Sequence, residues 1–183
     1  MKSVTIGNSV TDISEKAFQS CSSLTSVTIP NSVTIIREYA FYSCINLKSV
    51  TIGSDLTWIA DKAFAYCSDL EDIYCLAQNV PLSPYGSNSE LFKNSLIEYA
   101  TLYVPASLIE QYIATDPWSG FGTITALTDD EIDGIKEVEH SPLNIEHSAE
   151  GLYDLSGRKL DKPTKGINII RMSDGTIRKT LMK

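Results

Sequence analysis

The sequence predicts a repeat solenoid, mostly β with short helical turns, followed by a small C-terminal antiparallel β unit. Three observations carry this reading. Apolar residues recur every 23 positions through the first part of the chain, they alternate within each period as a short strand does, and charge divides the chain into three segments. A length of 183 residues allows one domain with a small appendage. A hydrophobic share of 43% with 21% charged residues is that of a chain able to bury a core.

The repeat is read directly from spacing. Val4, Val27, Val50 and Ile73 lie 23 apart, as do Ile6, Ile29, Ile52 and Cys75. The same step links Val10, Val33 and Leu56; Ile13, Ile36 and Ile59; Ala17, Ala40 and Ala63; and Phe18, Phe41 and Phe64. It also links Cys21, Cys44 and Cys67, and Leu24, Leu47 and Leu70. Within one repeat, LTSVTIP reads as a strand with Leu24, Val27 and Ile29 turned inward and Ser26 and Thr28 outward. Val33 and Ile36 supply a second short extended stretch, and the spacing of Ala40, Phe41 and Cys44 suits a single helical turn. No repeat closes a core alone. Each buries its apolar face only when the next stacks on it at about 4.8 Å, so three or more are needed.

The pattern SVTIP-x-SVT-x-I-x-x-x-AF-x-x-C-x-x-L resembles the BspA-like class of leucine-rich repeats, found in surface proteins of anaerobic Bacteroidota and some protozoa. The resemblance covers residues 3–76 and implies a leucine-rich-repeat-like fold. The fourth repeat departs from it: Leu91-Phe92 follows Phe64 after 28 residues, and Ser95 takes the cysteine position. Residues 77–90, with two Pro, a Gly and several Ser and Asn, read as an inserted surface loop. ATLYVP then restores the strand, with Leu102 and Val104 in the places of Ile73 and Cys75. SLIEQYIATDPWSGFGTI resembles the family's C-terminal cap, a short helix around Leu108 to Ile113 followed by Trp118, Phe121 and Ile124 over the open end of the core. Nothing comparable precedes residue 4. The chain is therefore expected to be the C-terminal piece of a longer exported protein, with a signal peptide upstream and an N-terminal strand edge open to self-association.

Charge sets the remaining boundaries. Residues 1–127 carry 6 basic and 12 acidic side chains, 128–150 carry 1 and 8, and 151–183 carry 8 and 3. The expected division is repeats and cap over 1–127, an acidic linker over 128–150 and a small β unit over 151–183. In that last unit, turn signals at Ser156-Gly157, Pro163 to Gly166 and Asp174-Gly175 separate apolar runs. Tyr153, Leu155, Ile167, Ile169, Ile177 and Leu181 are expected to face inward, with Ile145 adding a strand. The string YDLSGR, then KGINII and a hairpin with a basic tail, resembles the C-terminal domains of Bacteroidota exported proteins, including type IX sorting domains.

The candidate chemistry is sparse. Three cysteines one period apart invite a disulfide, but stacked strands hold parallel Cβ atoms about 4.8 Å apart where a disulfide wants about 3.8 Å. A linear ladder cannot converge on zinc either. Cys21, Cys44 and Cys67 are read as a reduced core column, and Cys75 as a further core thiol. His140 and His147, beside Glu139 and Glu146, are separated by Pro142 and read as solvated. Asp129, Asp130, Glu131 and Asp133 lack the spacing of a calcium loop. No GxSxG, HExxH or phosphate-cradling loop occurs, and no His lies in the repeats to activate a nucleophile. The expectation is a non-enzymatic protein with no cofactor and no metal. A formal charge of −8 speaks against a nucleic-acid partner, and no apolar run reaches the roughly 18 residues of a membrane helix.

What remains is the outward, concave face of the main sheet. Its columns are Ser3, Ser26, Ser49, Asp72 and Thr101, and beside them Thr5, Thr28, Thr51, Tyr74 and Tyr103. Cross-strand Thr and Tyr pairs stabilise such a ladder by roughly 0.2–1 kcal/mol each, and repeat proteins also bind on this face. Ser26, Thr28, Ser49, Thr51, Asp72, Tyr74 and Tyr103 are the candidate ligand-binding residues, with exposed tyrosines as contact area. The resemblance implies an exported cell-surface or secreted module that adheres to a protein partner, such as a host matrix or cell-surface protein. The second reading is a structural spacer carrying a functional domain upstream.

Overall fold

The computed structural model describes residues 3–137, 149–153, 159–160, 166–172 and 177–182. The repeats alternate long and short strands: β1 (Ser3–Thr5), β2 (Asp12–Ile13), β3 (Ser26–Ile29), β4 (Ile35–Ile36), β5 (Ser49–Ile52), β6 (Trp58–Ile59) and β7 (Asp72–Cys75). Then come β8 (Thr101–Pro105), helix α1 (Ile109–Ala114), β9 (Thr123–Leu127) and helix α2 (Asp129–Glu137). The C-terminal strands are β10 (Ala149–Tyr153), β11 (Lys159–Leu160), β12 (Gly166–Met172) and β13 (Ile177–Met182). The architecture is the expected repeat solenoid. A long sheet runs β1-β3-β5-β7-β8-β9-β13-β12-β10-β11, and a short second sheet runs β2-β4-β6.

The 23-residue period becomes a parallel register. Ser26 pairs with Ser49 and Ser49 with Asp72; Val27 pairs with Val50 and Val50 with Ile73. One side of β3, β5, β7, β8 and β9 is thereby sealed, and Val27, Ile29, Val50, Ile52, Ile73, Cys75, Leu102, Val104 and Ile124 are all buried. Behind them the phenylalanine column stacks face to face, Phe18 on Phe41 at 5.1 Å and Phe41 on Phe64 at 5.0 Å between centroids. Phe64 meets Phe92 at 6.0 Å across the insertion, and Trp118 and Phe121 then close on Phe92 edge-on. Trp118 and Phe121, expected over the open end of the core, are both fully buried. The close approach of the chain beside Phe121 depends on Gly122, where a Cβ would stand 2.0 Å from the carbonyl oxygen of Glu98.

The segment read as a helical turn is a chain of left-handed turns. Lys16 and Ser20, Tyr39 and Ser43, and Lys62 and Tyr66 all have positive φ, between 56° and 61°. The reason is backbone accounting. Every second amide leaves its repeat, as Phe18 N–H donates to Ala40 and Phe41 N–H to Ala63, both at 2.8 Å. The amides between them close local turns, such as Gln19 to Lys16. A helical turn would spend all of them inside one repeat.

The cysteine column also differs from a purely apolar ladder. The Cys44 thiol donates to the Phe18 carbonyl at 3.1 Å and the Cys67 thiol to Phe41 at 3.2 Å, while the Ser95 hydroxyl does the same for Phe64 at 2.6 Å. A small donor is required there, which explains why Ser substitutes for Cys. All four cysteines are free thiols, with Cys44, Cys67 and Cys75 buried. Cys21, expected in the core, is exposed, because among the described residues no earlier repeat covers its side of the turn. Phe18 is likewise only partly buried.

One finding alters the expected C-terminal organisation, and a second shows where its strands attach. The acidic linker does not begin at residue 128, since residues 129–137 form α2; residues 138–148 lie outside the described residues. β13 pairs antiparallel with β9, Leu181 opposite Ile124, so the C-terminal strands continue the long sheet. Their antiparallel order, β13-β12-β10-β11, matches the expected β unit. Ile145, Leu155 and the three turn signals except Gly166 lie outside the described residues, as do the side chains of Tyr153, Ile167, Ile169, Ile177 and Leu181.

Candidate functional site

The outward columns follow from the register. Thr5, Thr28, Thr51, Tyr74, Tyr103 and Thr125 form one, and Ser3, Ser26, Ser49, Asp72, Thr101 and Thr123 the other. The structure thus brings all seven candidate residues onto one face, but it divides them. Thr28 is exposed and Ser26, Ser49 and Thr51 are half-buried, an open hydroxyl surface. Tyr74 is only 8% exposed and is stacked on Tyr103 at 4.4 Å, with 6° between their planes. The tyrosine pair is therefore not the open contact platform that the sequence led us to expect.

Helix α2 covers it. Ile132 and Ile135 pack with Tyr74, Leu76 and Leu127, and Tyr103 lies against the same cluster. The helix is started by Thr128, whose hydroxyl accepts from Glu131 N–H at 3.3 Å while the Glu131 carboxylate accepts from Thr128 N–H at 2.9 Å, a reciprocal cap. Asp129, Asp130 and Glu131 fill its first turn, where the helix dipole favours negative charge. That is the work of the acidic run considered for calcium. The signals for this helix stand in the sequence: the T-x-x-E spacing, the i, i+3 pair of isoleucines, and two leucines at outward strand positions that a solvated face does not require.

Electrostatics separate the two halves of the face. Asp72 is half-buried beneath the aromatic end, and burial holds its carboxyl above the ordinary value, partly offset by a hydrogen bond from Tyr103. The hydroxyl columns of the first three repeats carry no charge at all. Deeper in, burial pushes the Cys44 thiol up to about 11 and Cys67 to about 12. Cys75, which accepts the Tyr112 hydroxyl at 3.2 Å, is pushed up to about 11, and Tyr112 is itself strongly raised. Buried thiols held neutral in this way are inert as nucleophiles. Among the described residues no group of three or more His, Cys, Asp or Glu is arranged to hold a metal ion. His140 and His147 lie outside the described residues. No described helix is long and apolar enough to cross a membrane.

A second surface escaped the sequence reading. On the short sheet the outward column is Asp12, Ile35, Trp58 and Leu82, the last joined to Trp58 by a bridge from the inserted loop. Arg37 clamps Asp12 at its far end, with Nε 2.8 Å from Oδ2. The signal lay in Ile35 and Trp58, 23 residues apart and next to inward isoleucines.

A parallel ladder with one long strand per repeat and a continuous core defines a leucine-rich-repeat solenoid. Residues 1–114 match the family described as BspA type leucine-rich repeat region, in six copies, and the chain belongs to that family. Comparison with curated proteins gives no match. The chain is thus a repeat module of a kind whose members generally mediate protein interactions and are generally not catalytic.

Proposed function

We propose that this chain is a non-enzymatic adhesion module of a cell-surface or secreted protein, and that it binds a protein partner on the outward face of β3 and β5. The observation that carries this is the open, uncharged hydroxyl surface of Ser26, Thr28, Ser49 and Thr51, laid out in strict register on a rigid core. Extended sheet faces of this kind are the usual binding surfaces of solenoids. Tyr74 and Tyr103 border that surface beneath α2, with Asp72 beside Tyr103, rather than forming its centre. Export of the module is part of the same proposal, as is a sorting role for the C-terminal strands.

The test is a binding screen of the intact chain against immobilised matrix proteins and glycans, with Thr28→Arg/Thr51→Arg as the control. Binding to a protein that falls at least tenfold in the double variant supports the reading. Binding that survives the two arginines, or none to any surface, removes it. One observation favours the spacer alternative. The β13–β9 pairing makes a single sheet of ten strands, which at about 4.8 Å per strand spans roughly 40 Å and is suited to holding another domain at a distance.

A further inference from the structure

Exposed large apolar side chains are few among the described residues, and three of the seven, Ile45, Leu96 and Tyr99, gather along one rim of the long sheet. The Ile45 carbonyl receives both the Ser68 hydroxyl and the Asp69 N–H, which ties that residue to the next repeat. Beside it an open groove of about 350 Å³ is lined by Leu70, Leu96 and Tyr99 together with Lys48, Asp69 and Glu71. Tyr99 is 83% exposed. Clustered exposed apolar groups beside a concavity mark interaction sites, whereas single ones do not.

Charge selects the occupant. Lys48 is bound to Glu71 at 2.7 Å and is also attracted by Asp69, so one positive charge serves two carboxylates and the groove keeps a net negative charge. A neutral side chain filling the groove would desolvate that excess negative charge, which Lys48 alone does not balance, and an anionic one would be repelled. A cation satisfies that negative charge and is also attracted to the exposed Tyr99 ring. The aliphatic stem of a lysine or arginine then lies along Leu70 and Leu96, as such stems do on apolar surface.

We propose that this rim groove is a docking site for a basic side chain of a partner protein, presented beside aliphatic residues. It lies next to the hydroxyl columns and not on them, so it binds such a segment whether or not the sheet face is used.

The test uses the intact chain, labelled with nitrogen-15 and titrated with the peptide acetyl-Gly-Leu-Arg-Leu-Gly-amide, with a Gln-for-Arg peptide as comparison. A single anchored side chain corresponds to a dissociation constant of about 1 mM. Shifts confined to the amides of residues 68–71 and 96–99 are expected, about tenfold weaker binding for the Gln peptide, and a similar loss in Asp69→Asn. Tyr99→Ala should also weaken the Arg peptide. Both positions are exposed, so the variant spectra away from the groove should be unchanged. Equal affinity for the two peptides, shifts centred elsewhere, an unaffected Asp69→Asn, or no shifts at several times about 1 mM would each overturn the assignment.

Discussion

Truncation of one side chain tests the covering of the tyrosine pair. Ile132 is 9% exposed and Ile135 6%, so each is almost wholly removed from water, and together they form the apolar contact of α2 with the sheet. A nine-residue helix is marginal alone, so its helicity depends on that contact. Ile→Ala in a buried site costs roughly 2–5 kcal/mol, and a peripheral site able to relax falls at the low end, about 2 kcal/mol. If α2 opens as a local unit, Ile132→Ala should speed hydrogen exchange of the amides at 132–137 by about 30-fold. The amides of β5 and β7 should stay as slow as before, since their register does not involve the helix. Tyr74 should become accessible to a nitrating reagent in the same variant. Unchanged exchange in α2 would refute the contact as its anchor. Equal acceleration throughout the core would refute its independence.

Phe41→Ala, in the middle of the stacked column, should cost roughly 3–5 kcal/mol in a urea unfolding series. Phe18→Ala, half-buried and stacked on one side only, should cost clearly less; equal losses would break the column argument. Under native conditions one thiol, Cys21, should react with a disulfide reagent, and all four on denaturation; a native count other than one contradicts the burial pattern. Asp72→Asn should raise the melting temperature at neutral pH. Burial raises the folded-state pKa above its unfolded value, so the folded state loses stability as pH rises through that window, and the gain from the substitution should vanish in acid. A gain of the same size at about pH 3 would mean the carboxylate charge is not its cause.

The sequence determined the solenoid because a period in side chains is a period in space. Strands stacked in register bring residue i onto residue i+23, which buries Val27, Val50 and Ile73 together. Trp118 and Phe121 were legible in another way, through resemblance to the family's C-terminal cap, and both are buried. The candidate columns were legible as columns, since alternation along a strand fixes which residues share a face.

Exposure was decided by tertiary structure. Nothing in the period says that Tyr74 is roofed, because the roof comes from Ile132 and Ile135, some sixty residues away and in no repeat. Nor does it say that Cys21 differs from Cys44. Burial at a column's end depends on what stacks beyond it, and the same Ala-Phe-x-Ser-Cys-x-x-Leu pattern yields an exposed thiol at one position and a buried one 23 residues on. The turns show the same division at the backbone level: the amides of Phe18 and Phe41 donate to the following repeat, and only that external acceptor makes left-handed turns preferable to a helical one. A local pattern states which groups must be satisfied. Which neighbour satisfies them is settled only when the chain has folded.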